Sequence, residues 1–279
     1  MSTTEKKEWY LEYDININRA GLLGDVSSLL GMMGINIGSI NGIKSSRRAF
    51  IIKSDSEEKV QRFETLLKEI DDISLRVLRP PELKDRLAVR HGRYLKQDKQ
   101  DKKIFRFERD DLGVLVDFMA ELFKEEGHKL IGIRGMPRVG KTESIVAGSV
   151  SAHKRWLFIS STLIKQTVRS SLIKGEYDTD HVYIIDGAVT AREQNPKHQQ
   201  LVREVMALPS VKVVEHPDLF VEASDYQMDD FDYIIELRAE ENQEIAYDEM
   251  KQKTVRSINN LDFGGGDPFG GFGDGFGGF

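Results

Sequence analysis

The sequence predicts an α/β protein in two parts, with a small antiparallel unit first and a parallel-sheet unit after it. Short strand patterns and helix patterns alternate over residues 8–79, and longer apolar runs alternate with helix patterns over residues 104–258. A glycine-rich segment, Gly135 to Thr142, stands between a strand pattern and a helix pattern in the second part. A chain of 279 residues has the length of two ordinary domains.

The first unit has the element order βαββαβ. Apolar residues alternate with polar ones from Trp9 to Ile17, and apolar residues then follow helical spacing from Leu22 to Met33, where Gly34 ends the helix. The same criteria predict strands over residues 9–17, 35–37, 49–52 and 73–77, and helices over residues 22–33 and 60–70. This order predicts a ferredoxin-like sandwich, a fold that by itself decides no function.

Two short runs in this unit carry a family resemblance. Arg19-Ala-Gly-Leu-Leu-Gly-Asp-Val26, followed by Gly34-Ile-Asn-Ile37, resembles the ACT family of regulatory modules that bind amino acids and similar ligands. The resemblance covers about residues 8–79. It implies a ligand at Gly21, with Asn36 and Ile37 facing the same pocket across a side-by-side homodimer. The alternative is that the glycines serve only a turn and a helix end, in a unit that is structural or dimerising.

Residues 80–103 form the connection between the two units. Residues 82–96 could form a short helix, although Leu83, Leu87, Val89 and Leu95 give only a ragged helical periodicity. Residues 96–103 are polar or charged throughout. We therefore interpret residues 80–103 as a charged, solvated linker.

In the second unit, apolar runs alternate with helix patterns up to residue 258. They predict strands over residues 129–134, 156–160, 182–185, 211–214 and 233–237, and helices over residues 112–122, 142–151, 162–174, 196–207 and 243–257. This alternation predicts a parallel sheet with right-handed crossovers. Ligands of such sheets bind at the carboxyl ends of the strands.

Gly135-Met-Pro-Arg-Val-Gly140-Lys141-Thr142 fits the P-loop pattern G-x-x-x-x-G-K-[ST]. Gly135 and Gly140 are expected to take positive φ, so that backbone N–H groups, with those around Arg138, point at phosphates. Lys141 is expected to reach the β- and γ-phosphates, and the Thr142 hydroxyl to hold Mg²⁺. The expected cofactors are ATP and Mg²⁺. No base-specific motif is present, so ATP is chosen only because it is the commonest nucleotide at such loops.

The apolar run 182–185 ends in Asp186 and resembles the Walker B element of P-loop NTPases. The resemblance implies that Asp186 holds Mg²⁺ opposite Thr142; the alternative is a carboxylate that caps the following turn. ATPases of the additional-strand class usually place a glutamate next, where this chain has Gly187. The catalytic residue therefore stays unassigned. Weak candidates are Glu143, Glu193 and Glu215 for positioning water, and Arg192, Arg203 and Arg138 for stabilising charge.

Composition excludes several classes of site. The chain has no cysteine, which excludes disulfides, thiol nucleophiles and cysteine-bound zinc. Its formal net charge of −6 argues against a nucleic-acid partner, and no apolar run approaches the roughly 20 residues of a membrane span. Without a signal-peptide core behind its polar first residues, the chain is expected in the cytoplasm. Residues 259–279 are rich in glycine and phenylalanine and are expected to be a disordered tail, either inert or a weak binding site for a protein partner.

The whole pattern resembles the YmfK-like family of firmicute bacteria. The resemblance implies a cytoplasmic bacterial protein and names no substrate. The leading hypothesis is an ATP-binding regulatory protein with slow NTPase activity, tuned by an amino acid or similar metabolite at the ACT-like unit. The alternatives are a small-molecule kinase under ACT control and a non-catalytic adaptor with a vestigial P-loop.

Overall fold

The computed structural model describes residues 6–162 and 167–240. These residues form a four-stranded antiparallel sheet, a seven-stranded sheet that is mostly parallel, and a two-stranded hairpin. The predicted mixed α/β class, with one antiparallel and one parallel sheet, is confirmed. The expected helix over residues 243–257 and the expected tail over residues 259–279 lie outside the described residues.

The antiparallel sheet is formed by the first part of the chain. Its elements are β1 (Lys7–Ile15), α1 (Leu22–Met32), β2 (Asn36–Lys44), β3 (Arg47–Ser54), α2 (Glu57–Lys68) and β4 (Ile73–Arg79). The strand order is β2-β3-β1-β4, so β2 and β4 are the edges. Both helices cover one face of the sheet and bury their apolar residues in the same core. Helix α1 buries Leu22, Val26 and Leu30, spaced by four residues, against Leu11 and Phe50 of the sheet.

Residues 80–103 contain packed elements where the sequence predicts a solvated linker. They form α3 (Leu83–His91) and the short strand β5 (Lys96–Gln97). Leu87 is buried in the core of the second sheet, whereas Ala88 and Val89 are buried against Tyr10 and neighbours on the face of the first sheet opposite α1 and α2. Because α3 buries side chains on two sides, its apolar residues do not follow the one-sided spacing of an amphipathic helix, which explains the ragged pattern.

The second sheet has the strand order β5-β6-β13-β7-β12-β11-β8. Its remaining strands are β6 (Ile104–Glu108), β7 (Lys129–Gly135), β8 (Arg155–Phe158), β11 (His181–Asp186), β12 (Val211–Glu215) and β13 (Tyr233–Arg238). The helices are α4 (Leu112–Lys124), α5 (Lys141–Ser151), α6 (Gly187–Arg192), α7 (Pro196–Ala207) and α8 (Pro217–Glu222). Every neighbouring pair is parallel except β5 with β6.

The predicted helix over residues 162–174 is wrong for the part that the structure describes. Strands β9 (Ser160–Ser161) and β10 (Thr167–Val168) pair as an antiparallel hairpin instead. Ser160 and Ser161 are buried beside the end of β11, and Arg169 N donates to the Ile159 carbonyl at 2.9 Å. The hairpin therefore obtains its hydrogen bonds from long-range pairing, which overrides the local helical spacing.

Helices cover both faces of the second sheet. On one face α4 and α5 pack through Phe118 and Ile145, and on the other α7 and α8 pack through Leu201 and Phe220. This burial leaves the carboxyl ends of β7, β12 and β11 side by side, with Asp186 directly opposite Glu215 in the strand register. Within the described ranges, no helix has the length and apolar character needed to cross a membrane.

Candidate functional site

The loop between β7 and α5 depends on glycine at both ends, for two different reasons. Gly140 has φ of 109°, which side-chain-bearing residues rarely adopt, and it directly precedes α5. Gly135 does not have positive φ, so that part of the sequence prediction is wrong. A Cβ atom at Gly135 would lie 2.6 Å from the Leu237 carbonyl oxygen, so glycine is needed there for close approach of β13. Between the two glycines, Arg138 also has a positive φ, at 64°, and it is exposed.

Lys141 is the first residue of α5 and is 7% exposed. Its ammonium group donates to the carbonyl oxygens of Gly135 at 2.9 Å and Met136 at 3.2 Å. Burial lowers the pKa of Lys141, and the negative charges of Glu215 and Asp186 oppose that shift. The ammonium group therefore lies beneath the loop, close to two carboxylates.

Glu215 is the last residue of β12 and links the loop to the sheet. The Thr142 hydroxyl donates to Glu215 Oε1 at 2.5 Å. Burial raises the pKa of Glu215 to about 7, and the nearby Asp186 adds to the shift, whereas Thr142 and Lys141 oppose it. Glu215 therefore titrates close to neutral pH.

Asp186 ends β11, is 3% exposed and accepts hydrogen bonds on both carboxylate oxygens. Oδ1 accepts from the backbone N–H groups of Ala188 at 3.0 Å and Val189 at 3.2 Å, which caps α6. Oδ2 accepts from the N–H and hydroxyl groups of Thr162 at 3.3 and 3.2 Å. The capping role is thus observed, and the two donors on each oxygen match the about four lone-pair sites of a carboxylate.

The residue after Asp186 has no room for a side chain. A Cβ atom at Gly187 would lie 2.5 Å from the His216 carbonyl oxygen and 2.8 Å from that of Glu215. A glutamate is therefore sterically excluded from position 187. The neighbouring strand β12 instead ends in a carboxyl group, that of Glu215, opposite Asp186.

His216 is a site residue that sequence reasoning missed. It follows Glu215, has φ of 55°, and lies against the same edge. Burial lowers the pKa of His216 to about 4, and the positive charge of Lys141 contributes in the same direction. The imidazole is therefore neutral at pH 7. The sequence feature that could have identified His216 is its position between a strand-ending glutamate and Pro217, which starts α8.

The other catalytic candidates from the sequence are spread over three helices and a turn. Glu143 is exposed in the first turn of α5, and its charge affects the pKa of both Lys141 and Glu215. Glu193 Oε1 accepts from Asn195 N at 2.9 Å in the turn after α6, and Arg192 is the last residue of α6. Arg203 is exposed on α7 and lines a separate cavity of about 420 Å³.

The candidate ligand residues of the first sheet do not share one cavity within a chain. Gly21, with φ of 85°, precedes α1 and lines a cavity of about 150 Å³ together with Arg19 and Arg48. Asn36 and Ile37 begin the edge strand β2, are exposed, and are not among the described residues that line this cavity.

Fold and site together define the class: a mixed α/β protein with a buried polar cluster at the carboxyl edge of its parallel strands. Residues 75–263 match the family described as "Protein of unknown function (DUF3388)", and the chain belongs to this family. It is 61% identical over 247 residues to the protein described as "Uncharacterized protein YmfK" of Bacillus subtilis (strain 168), covering 88% of this chain and 92% of that one.

A comparison with solved structures adds no further identification. The phospho-2-dehydro-3-deoxyheptonate aldolase of Thermotoga maritima aligns over 92% of this chain and 96% of its own, with 13% sequence identity. Its TM-score of 0.20 is too low for an argument about fold or function.

Proposed function

We propose that this chain is a regulatory protein that binds ATP with Mg²⁺ at the carboxyl edge of its parallel sheet and hydrolyses it slowly. One observation carries the proposal. The glycine loop places the Lys141 ammonium group and the Thr142 hydroxyl next to Glu215, and Glu215 lies opposite Asp186 in the strand register.

The geometry of the loop supports phosphate binding. Gly140 adopts the left-handed conformation immediately before α5, so the first N–H groups of that helix, with the positive end of its dipole, face the loop. The strand order supports the additional-strand class of P-loop ATPases. Strand β12 lies between β7, which leads into the glycine loop, and β11, which ends in Asp186. A strand inserted at this position is the arrangement after which the additional-strand ATPases are named.

The side chains present suit the proposed ligands. Hydroxyl and carboxylate oxygens, such as those of Thr142 and Asp186, are the donors that Mg²⁺ prefers. Among the described residues, the hydrogen bonds of the Lys141 ammonium group go to two loop carbonyls, and the group has the charge that a triphosphate requires. Bound Mg²⁺ would neutralise charge that develops on the phosphates. Glu215 would orient the attacking water and accept its proton.

Slow turnover follows from the position of Glu215. This group is not the residue after Asp186, and its carboxyl group is hydrogen-bonded to Thr142. Positioning and charge stabilisation supply most of the catalysis of phosphoryl transfer, so a carboxyl group held away from the usual position gives a low rate. A switch that stays in its ATP form for long periods requires this behaviour.

The first sheet supports an ACT-like regulatory unit that dimerises. Among the described residues, strand β2 is an edge of its sheet, with Ile37 and Ile40 each 38% exposed, and an edge strand can pair with a second copy. A side-by-side pair would bring Asn36 and Ile37 toward the partner, where an amino acid or similar metabolite would bind near Gly21. Light scattering of the full chain checks the homodimer, and a monomer at all concentrations would contradict it.

Lys141→Ala is expected to abolish the thermal stabilisation that Mg²⁺·ATP gives the wild-type chain. At a ligand concentration one hundred times Kd, binding stabilises a protein by about 2.7 kcal/mol. For a domain of this size each kcal/mol raises Tm by about 2–4 °C, so the wild-type shift is readily measured by calorimetry. Each variant is compared with itself without ligand, so any change in its own stability cancels.

Two further variants sharpen this experiment. Lys124→Ala, at an exposed position that ends α4, is the matched control and should keep the wild-type shift. Asp186→Asn keeps a side chain that caps helices well but removes the charge proposed to hold Mg²⁺, so its ATP shift should lose its dependence on Mg²⁺. An equal shift in Lys141→Ala would contradict the site. No wild-type shift with ATP, GTP or ADP would favour an adaptor with a vestigial loop.

A further inference from the structure

A second cavity lies at the opposite edge of the parallel sheet from the candidate site. It has a volume of about 500 Å³, within the range of small-molecule sites. Its lining includes the first residues of β7 and β13, Lys129 and Tyr233, and the first turn of α3. Because β7 runs from Lys129 to Gly135, the two sites are separated by the length of one strand, about 20 Å.

Four lysines and two carboxylates line this cavity: Lys84, Lys102, Lys103, Lys129, Glu82 and Asp232. Two of the lysines are neutralised, since Lys84 pairs with Glu82 at 2.8 Å and Lys129 pairs with Glu125. Among the described residues, no carboxylate lies within ion-pair distance of Lys102 or Lys103. Lys103 Nζ donates to the backbone carbonyl of Asp229 at 2.7 Å, which leaves its charge uncompensated. Among the described residues, the lining thus has two adjacent lysines outside any ion pair, against one such carboxylate, Asp232, which accepts a hydrogen bond from Leu130 N at 2.8 Å. A net positive charge remains.

The wall beside these lysines includes the half-buried ring of Tyr233 and a small part of Phe105, which is 5% exposed. Phe118 is fully buried behind them, with its ring centre 4.7 Å from that of Phe105. The Lys129 ammonium group is 5.6 Å from the centre of the Tyr233 ring. The exposed part of Tyr233 suits a planar ring, because aromatic surfaces favour stacked or edge-on contacts.

We propose that this cavity binds a small phosphorylated molecule that carries a planar ring. The phosphate group would bind Lys102 and Lys103, and the ring would pack against Phe105 and Tyr233. A phosphate monoester has a charge of about −1.5 to −2 at pH 7, which matches two unpaired ammonium groups better than the single charge of a carboxylate does. Lysine also binds phosphate as a point charge, whereas planar carboxylates favour the two-pronged geometry of arginine.

The position gives such a ligand contacts with both parts of the chain. Glu82, Leu83 and Lys84 begin α3, which follows β4 of the first sheet, whereas Phe105, Lys129 and Tyr233 belong to the second sheet. A ligand in this cavity therefore holds the start of α3 against the amino ends of β6, β7 and β13. The proposal goes beyond the nucleotide site and does not depend on it.

The test uses phenyl phosphate as the probe and full-length Lys141→Ala as the background, so that binding at the glycine loop does not contribute. Isothermal titration should show one site per chain. Lys102→Gln with Lys103→Gln should weaken binding at least tenfold. The control pair, Lys99→Gln with Lys124→Gln, removes the same charge at exposed positions outside the lining and should leave binding unchanged. Lys102→Gln alone keeps the Lys103–Asp229 hydrogen bond, so a loss in this variant does not reflect misfolding.

Three outcomes would overturn the proposal. The first is no saturable binding of phenyl phosphate at millimolar concentration. The second is equal affinity in the lining and control pairs, which would indicate a general effect of net charge. The third is inorganic phosphate binding as tightly as phenyl phosphate, which would remove the role of the aromatic wall.

Discussion

A single added methyl group at Gly187 is expected to destabilise this chain by about 1–3 kcal/mol, the range for overpacking of a well-packed core. In Gly187→Ala the new Cβ atom would lie 2.5 Å from the His216 carbonyl oxygen, 2.8 Å from that of Glu215 and 3.0 Å from Phe220 Cβ. Two of these atoms are backbone at the end of β12, so no side-chain rotation relieves the clash and the strand must move. Urea unfolding of the variant and the wild type measures the loss.

Gly24→Ala is the matched control for this substitution. Gly24 lies in α1, nothing stands within 4 Å of its added Cβ atom, and alanine favours a helix over glycine by up to about 1 kcal/mol. This variant should be as stable as the wild type or slightly more stable. A Gly187→Ala variant within 1 kcal/mol of the wild type would contradict the packing argument. The same clash means that Gly187→Glu cannot supply a glutamate next to Asp186 without displacing β12.

Glu215→Gln is expected to lower ATP hydrolysis by at least about one hundredfold, the lower range for loss of a general base, while ATP binding is retained. This expectation depends on the proposed function. Because the pKa of Glu215 is about 7, the wild-type rate should rise as pH increases through 7 and then level off. Steady-state phosphate release between pH 5.5 and 8.5 measures both effects.

The same substitution is expected to change how stability depends on pH, whether or not ATP is the ligand. Burial raises the pKa of Glu215 from 4.5 to about 7, so between these values the folded state holds a proton that the unfolded state releases. The contribution of Glu215 to wild-type stability therefore falls as pH rises from 4.5 to about 7, by about 3 kcal/mol at most. Glu215→Gln lacks this loss, so its advantage over the wild type should grow across that range and stay constant above it.

His216 makes stability depend on pH in the opposite direction, but its effect is the same in the wild type and in Glu215→Gln. Its pKa is lowered to about 4, so stability is lost as pH falls from 6.5 toward 4 in both proteins. Glu126→Gln is the control, because Glu126 is an exposed carboxylate in the loop between α4 and β7, outside the candidate site. It should change neither the rate nor the pH dependence appreciably. A rate loss equal to that of Glu215→Gln, or a stability difference that does not vary with pH, would contradict the role of Glu215.

Much of the fold can be read from local patterns. The predicted strands over residues 129–134, 182–185, 211–214 and 233–237 lie within β7, β11, β12 and β13, because buried strands read as short apolar runs. Strand β6 was missed although Phe105 and Phe107 alternate with Arg106 and Glu108, a signal only five residues long. The short helix considered for residues 82–96 corresponds to α3, but its packing was not predicted, since a helix buried on two sides has no one-sided apolar spacing.

The candidate site, like the fold, could be predicted from local sequence patterns only in part. The sequence by itself determined where the glycine loop lies, which lysine and threonine follow it, and that Asp186 ends a strand, because glycine positions and apolar periodicity are local properties. It left three carboxylates equivalent as the water-positioning group. Only the tertiary structure singled out Glu215, because the strand order inserts β12 between β7 and β11 and the register sets Glu215 opposite Asp186. Strand order and register arise from long-range pairing and burial, which no local window of the sequence contains.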